Sequence, residues 1–94
     1  SSAWIDTDWF RVFLEAGRTM SVDLRPPANL NYDVELYQDL NIFQPVASGK
    51  LGAGQTEHVT YTNTSSQTVT INIKVSGVNG AFSASSPYYL KTVW

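Results

Sequence analysis

Ninety-four residues make one small domain, near the size at which a single core is just large enough to fold alone, with no room for a second. The absence of cysteine excludes a disulfide framework, a thiolate nucleophile and a thiolate zinc site, so stability has to come from packing and strand pairing. Six Lys and Arg, scattered among eight Asp and Glu for a net charge of −2, form no patch able to neutralise a row of phosphates, and no apolar run approaches the ~20 residues of a membrane-spanning helix, so neither nucleic acid nor a membrane is an expected partner.

In chain order, DWFRVFL from Asp8 to Leu14 alternates with a step of two. Phe10, Val12 and Leu14 fall on one side of an extended strand, and Trp9, Arg11 and Phe13 on the other. EAGRT follows as a turn in which Gly17 can take positive φ, and TMSVDLR then points Met20, Val22 and Leu24 the same way, so the pair is expected to form a hairpin. Pro26 and Pro27 cannot donate to a ladder and end the second strand. In YDVELYQ, Tyr32, Val34 and Leu36 point inward, with Asp33, Glu35 and Tyr37 outward.

The stretch from Asp39 to Thr56 is rich in Gly and turn formers, with a short edge strand, interrupted by Pro45, expected from Ile42 to Val46. EHVTYT places Val59 and Tyr61 inward, and VTINIKV alternates most cleanly, with Val69, Ile71, Ile73 and Val75 on one side. Asn63 to Ser65 matches a glycosylation acceptor, although NTSSQ reads more naturally as a turn, and Asn79 with Gly80 suits a long hairpin loop. The last strand, YYLKTV, turns Tyr88 and Leu90 inward and Tyr89 and Lys91 outward.

Short strands rich in Thr, Val, Ile and Tyr, separated by turns and without a helical period, predict an all-β fold: an antiparallel β-sandwich of jelly-roll type with about seven to eight strands, spanning residues 1–94. The inward rows supply nearly all the stabilisation, so a polar substitution at Phe10, Ile71 or Ile73 should be among the most damaging.

Catalytic signatures are sparse. His58 is the one histidine, and its strand neighbour Glu57 projects to the opposite face, so the imidazole is expected to stand exposed rather than in a triad. GKLGAG at Gly49 to Gly54 is not followed by a helical pattern and reads as a flexible loop. Asp33 and Glu35, about 7 Å apart along one strand face, suit a solvated sheet better than glycoside hydrolysis. The expectation is a non-enzyme.

Four segments carry a resemblance to a known family. They are the Asp-x-Asp-Trp-Phe start at Asp6 to Phe10, Ala-Gly-x-Thr at Ala16 to Thr19, the strand from Asp33 to Tyr37, and the closing Tyr88 and Leu90. In this order, across about Asp6 to Val93, the chain resembles the bacterial pre-peptidase C-terminal domains, β-sandwiches appended to secreted peptidases and other extracellular hydrolases. The resemblance implies an extracellular bacterial location, a parent hydrolase catalytic domain as partner, and a role in maturation, stability or holding an insoluble polymer. The opening Ser1-Ser2-Ala3-Trp4 reads as that of a fragment of a longer secreted protein. Related collagen-binding domains of clostridial collagenases bind calcium through acidic residues just before the aromatic first strand, where Asp6 and Asp8 stand here. They add ligands from an upstream Glu-Pro-Asn-type segment that this sequence does not contain, so calcium binding is expected to be weak or absent, and no cofactor is required.

By strand parity the outward aromatics are Trp9, Phe13, Tyr37 and Tyr89, with Trp94 at the end of the chain. Contiguous exposed rings mark a binding surface unless loops, a further segment or another copy covers them. These four residues are therefore the candidate ligand contacts, for an insoluble protein or polysaccharide polymer. A dedicated carbohydrate-binding module and a structural repeat of a surface protein are the alternatives to the accessory domain.

Overall fold

Alternating apolar rows need an apolar surface to face, and in this chain they face one another. The computed structural model describes residues 7–26, 31–41, 43–49, 55–77 and 88–94. Within them the chain forms seven strands: β1 (Thr7–Leu14), β2 (Thr19–Arg25), β3 (Tyr32–Gln38), β4 (Ala47–Gly49), β5 (Glu57–Thr62), β6 (Val69–Gly77) and β7 (Tyr89–Val93). They pair antiparallel in two sheets, ordered β1-β6-β3-β4 and β5-β2-β7. The result is the expected β-sandwich.

The core is built from the predicted rows. Val12 lies opposite Ile71 and Leu14 opposite Val69, while Leu36 and Val34 flank β6 at Ile73 and Val75. Met20, Val22, Leu24 and Val59 close the core from the other sheet, and all of these side chains are buried. Each contributes about 1.5–3 kcal/mol relative to an exposed position, so this interior carries the fold.

The connectivity departs from the sequence expectation. β1 and β2 do not form a hairpin, because they lie in opposite sheets. Both strands carry a strong apolar row, and placing them in different layers lets each row cover the other across the core. The reversal still uses Gly17, with φ of 77°. Of the successive strand pairs only β3 and β4 are hydrogen-bonded neighbours. β6 and β7 also belong to different sheets, so no hairpin joins them; Asn79 and Gly80 lie outside the described residues.

Two further expectations need correction. The edge strand is Ala47–Gly49, not the segment before it. Asn41 Oδ1 accepts the backbone N–H groups of Phe43 (3.2 Å) and Gln44 (3.3 Å), and Pro45 has none to give, so this stretch cannot join a ladder until Pro45 is passed. Ile42 lies outside the described residues. Phe10 follows the inward parity of β1 yet is 41% exposed. β1 is the outer strand of the four-stranded sheet and the opposing sheet is one strand narrower, so the row loses its cover at that position.

Asn63 opens the expected turn between β5 and β6 and is built into it. The side chain is 2% exposed. Its Nδ2 donates to the carbonyls of Leu14 (2.9 Å) and Gln67 (2.7 Å), and its Oδ1 accepts from the N–H and hydroxyl of Ser65. Its backbone exchanges bonds with the first reversal: Gly17 N–H donates to the Asn63 carbonyl (2.8 Å) and Asn63 N–H to that of Arg18 (2.9 Å). One buried amide thus ties the β1–β2 and β5–β6 crossings together.

Replacing Asn63 with Ala should cost at least about 2 kcal/mol, since it loses four side-chain bonds and takes the amide donor from the buried Leu14 carbonyl, although the Gln67 carbonyl keeps the Ser65 hydroxyl, and should lower the melting temperature by roughly 10 °C. A shift of under a few degrees in a thermal melt would refute the clamp. In the core, Ile73→Ala should cost about 2–5 kcal/mol and Phe10→Ala clearly less; denaturant titration returning the opposite order would place Phe10 inside.

Candidate functional site

The inward rows leave the outer face of β1-β6-β3-β4 to the residues of opposite parity. Register sets them in rows across the sheet. Trp9 lies opposite Lys74, which faces Glu35; Arg11 lies opposite Asn72, which faces Tyr37; Phe13 lies opposite Thr70. On β1 this makes a strip of Trp9, Arg11 and Phe13, with the Trp9 and Phe13 Cα positions about 13 Å apart along the strand.

The strip is anchored at its Trp9 end. Trp9 leans across β6 onto Tyr37, with ring centroids 5.7 Å apart and planes tilted by 44°, and Lys74 Nζ sits 5.7 Å from the Trp9 ring centre. Trp9 keeps 48% of its surface exposed and Phe13 62%, but Tyr37 only 5%. Tyr37 is thus covered, not exposed as its parity predicts, because an aromatic neighbour two strands away lies over it. Burial, followed by the nearby Glu35 charge and a hydrogen bond donated to that carboxylate, pushes the Tyr37 phenol pKa up.

Beside the strip lies a depression of about 310 Å³ lined by Arg11, Asp39, Leu40, Thr70 and Asn72. Asp39 follows β3 with φ of 54°, a left-handed conformation that Asp tolerates better than most side chains. The turn is tied to β6 at three points. Asp39 N–H donates to the Thr70 carbonyl (2.7 Å), Thr70 N–H to Asp39 Oδ1 (3.1 Å), and Asn72 Nδ2 to the Asp39 carbonyl (2.7 Å). A second depression of about 360 Å³ shares Asp39 and is lined by Gln38, Asn41, Gln44 and Val46. Leu40 and Phe43 on the same connection are almost wholly exposed.

Sequence reasoning singled out Trp9 and Phe13, which stand exposed on this face, but not Asp39, Thr70 or Asn72 beside them. The alternation of β6 placed Thr70 and Asn72 outward, and the turn-forming run after Gln38 was visible; what no single strand pattern reveals is that the turn after β3 meets the outer face of β6.

Tyr89 stands apart from the other three aromatics. It belongs to β7 in the second sheet, under the Arg25 guanidinium, whose carbon is 5.6 Å from the ring centre. The four predicted contacts therefore do not form one surface. Asp8 is partly buried in the inward row of β1 and accepts a 2.7 Å hydrogen bond from the Tyr88 hydroxyl, whose ring packs on Tyr32 at 5.3 Å. That bond joins the two layers at one end. Asp6 lies outside the described residues, and among those described no group of three His, Asp or Glu side chains is placed to hold a metal ion.

His58 is exposed, as expected, and its partner is Asp23 rather than Glu57. The two are opposed across β5 and β2, with His58 Nδ1 bonded to Asp23 Oδ1. Glu57 is fully buried, on the inner side of β5 under Gly49, where an added methyl group would lie 2.8 Å from its Oε1. The pair of His58 and Asp23 stands on the open outer face of β5-β2-β7, on the other layer from the two depressions.

Comparison with known proteins yields no match: no family model fits the chain, and no curated protein or solved structure is significantly similar to it.

Because the folded pKa of Tyr37 lies above its unfolded value, its neutral form favours the fold; that contribution is complete below about pH 10 and is lost as pH rises through the folded value. A spectrophotometric alkaline titration, taken as the difference between the parent chain and Tyr37→Phe, should show the missing phenol ionising above the ordinary tyrosine range. A midpoint at the ordinary value would contradict this environment.

Proposed function

We propose that this chain is a non-catalytic accessory domain of a secreted bacterial hydrolase, most naturally a peptidase, and that it holds its parent against an insoluble polymer through the outer face of β1-β6-β3-β4. The observation that carries this reading is the strip on β1. Two large rings stay substantially exposed on a sheet whose other side is the hydrophobic core, so the surface is rigid and apolar before any ligand arrives. Exposed aromatics of this kind favour binding because ordering them costs little conformational entropy and their burial is worth more than that of small side chains. The resemblance of the strand motifs to pre-peptidase C-terminal domains supplies the extracellular setting and the parent catalytic domain. Calcium has no assigned part in this reading, since Asp8 is engaged by Tyr88.

Pull-down on insoluble collagen, chitin and cellulose tests it. The chain should be retained on at least one of them, and the double substitution Trp9→Ala, Phe13→Ala should reduce retention about tenfold or more, the loss of roughly 1.4 kcal/mol, while the chain stays folded, its melt lowered by several degrees because Trp9 also packs on Tyr37. Retention that is insensitive to the double substitution would remove the strip from the binding surface; failure to bind any polymer would confine the domain to processing or stability of its parent.

A further inference from the structure

Resting on the reading above, we infer that the polymer is an uncharged polysaccharide, with one sugar unit seated in the depression between Arg11 and Asp39 and its neighbours running over Trp9 and Phe13. The first argument is charge. The depression pairs one cation, Arg11, with one carboxylate, Asp39, and completes its polar lining with the Thr70 hydroxyl and the Asn72 amide. The adjoining depression adds the amides of Gln38, Asn41 and Gln44. A polyanion would meet Asp39 and a polycation Arg11, each at a cost. A chain of hydroxyl groups meets no such penalty, since every hydroxyl both donates and accepts and can satisfy a guanidinium and a carboxylate in turn.

The second argument is preorganisation. Asp39 is held by both its backbone groups and by Oδ1, all bonded to β6. Among the described residues its Oδ2 meets the Gln38 amide alone, at 3.5 Å. Arg11 is exposed and makes no ion pair among the described residues. One acceptor is therefore fixed and one donor free on opposite sides of a shallow polar floor, an arrangement suited to bridging neighbouring hydroxyls on one ring.

The third argument separates a sugar polymer from a peptide. An extended peptide joins a sheet through the backbone of an edge strand, and proline-rich helices dock between closely spaced aromatic rings. The floor here belongs to β6, which is paired on both sides by β1 and β3, so a peptide lying over it finds no ladder; among the described strands the open ladder nearby is the edge of β1, which lies in the plane of the sheet and not on the face lined by Trp9, Arg11 and Phe13. The Cα positions of Trp9 and Phe13 are about 13 Å apart along β1 with Arg11 between them, and the Trp9 ring leans away over β6 onto Tyr37, so the two rings do not form a clasp for one proline. A ligand with apolar ring faces and polar rims, repeated along a chain, matches ring, polar group, ring.

Isothermal titration of the chain with soluble cello-, chito- and xylo-oligosaccharides, a heparin fragment and a triple-helical Gly-Pro-Hyp peptide tests the inference. At least one neutral oligosaccharide should bind, with little dependence on salt. Arg11→Met and Asp39→Asn should each weaken it about fivefold or more with the melt unchanged; Asn keeps the Oδ1 acceptor and tolerates positive φ, and Arg11→Met, remote from the turn's bonds, is decisive if the Asp39 variant unfolds. Binding of the collagen-like peptide or the heparin fragment alone, lost on Trp9→Ala, Phe13→Ala, would overturn the sugar assignment and leave the accessory role standing. Neutral oligosaccharide binding indifferent to Arg11 would overturn the site, and no binding to any probe or to any insoluble polymer would overturn the sugar assignment together with the polymer-holding role, confining the domain to processing or stability of its parent.

Discussion

Two apolar rows facing each other across a single layer of core hold this protein together. Val12, Leu14, Ile71, Ile73, Val34 and Leu36 on one side meet Met20, Val22, Leu24 and Val59 on the other. With no disulfide available, nothing else of comparable size opposes chain entropy. The connectivity answers to the same need. A strand whose one face is strongly apolar is best followed by a strand in the opposite layer, and this chain changes sheet at every link except the one between β3 and β4.

Such crossings leave backbone groups at the ends of the sandwich without ladder partners, and those ends are secured by polar side chains. Asn63 serves two crossings at once through six hydrogen bonds, two of them from its own backbone. At another end of β1, the Tyr88 hydroxyl reaches Asp8 and joins the two layers. Asp39, in the one link that stays within its sheet, ties the turn after β3 to β6. Buried or half-buried polar groups pay for their desolvation only when every bond is made, and here the bonds are placed where strands change direction. A side effect is that the Asp39 turn stands rigidly beside the outer face of β6, which turns a flat sheet into a lined depression.

The outer face thus inherits its order from the inner one. Trp9 can lie half-exposed at a defined tilt because Tyr37 is packed beneath it and Lys74 beside it. The proposed binding surface needs no moving part, and a rigid platform loses little entropy when a ligand lands on it. The pair of His58 and Asp23 is a different arrangement: two polar side chains meeting across strands on an open face, where solvent screens their attraction.

Much of this was legible from residue types alone. Period-two alternation is a property of any extended strand, so the sheet class, the buried rows, the turn at Gly17 and the outward placement of Trp9, Phe13 and His58 follow from the chain itself. Parity says which side of a strand a residue occupies, but not which strand lies beside it or how far the opposing layer reaches. For that reason the pairing of β1 with β6 instead of β2, the exposure of Phe10, the burial of Tyr37 under Trp9, the separation of Tyr89 from the other rings and the meeting of Asp39 with Thr70 and Asn72 were decided only by tertiary structure. Each depends on contacts between segments tens of residues apart, which local periodicity cannot encode.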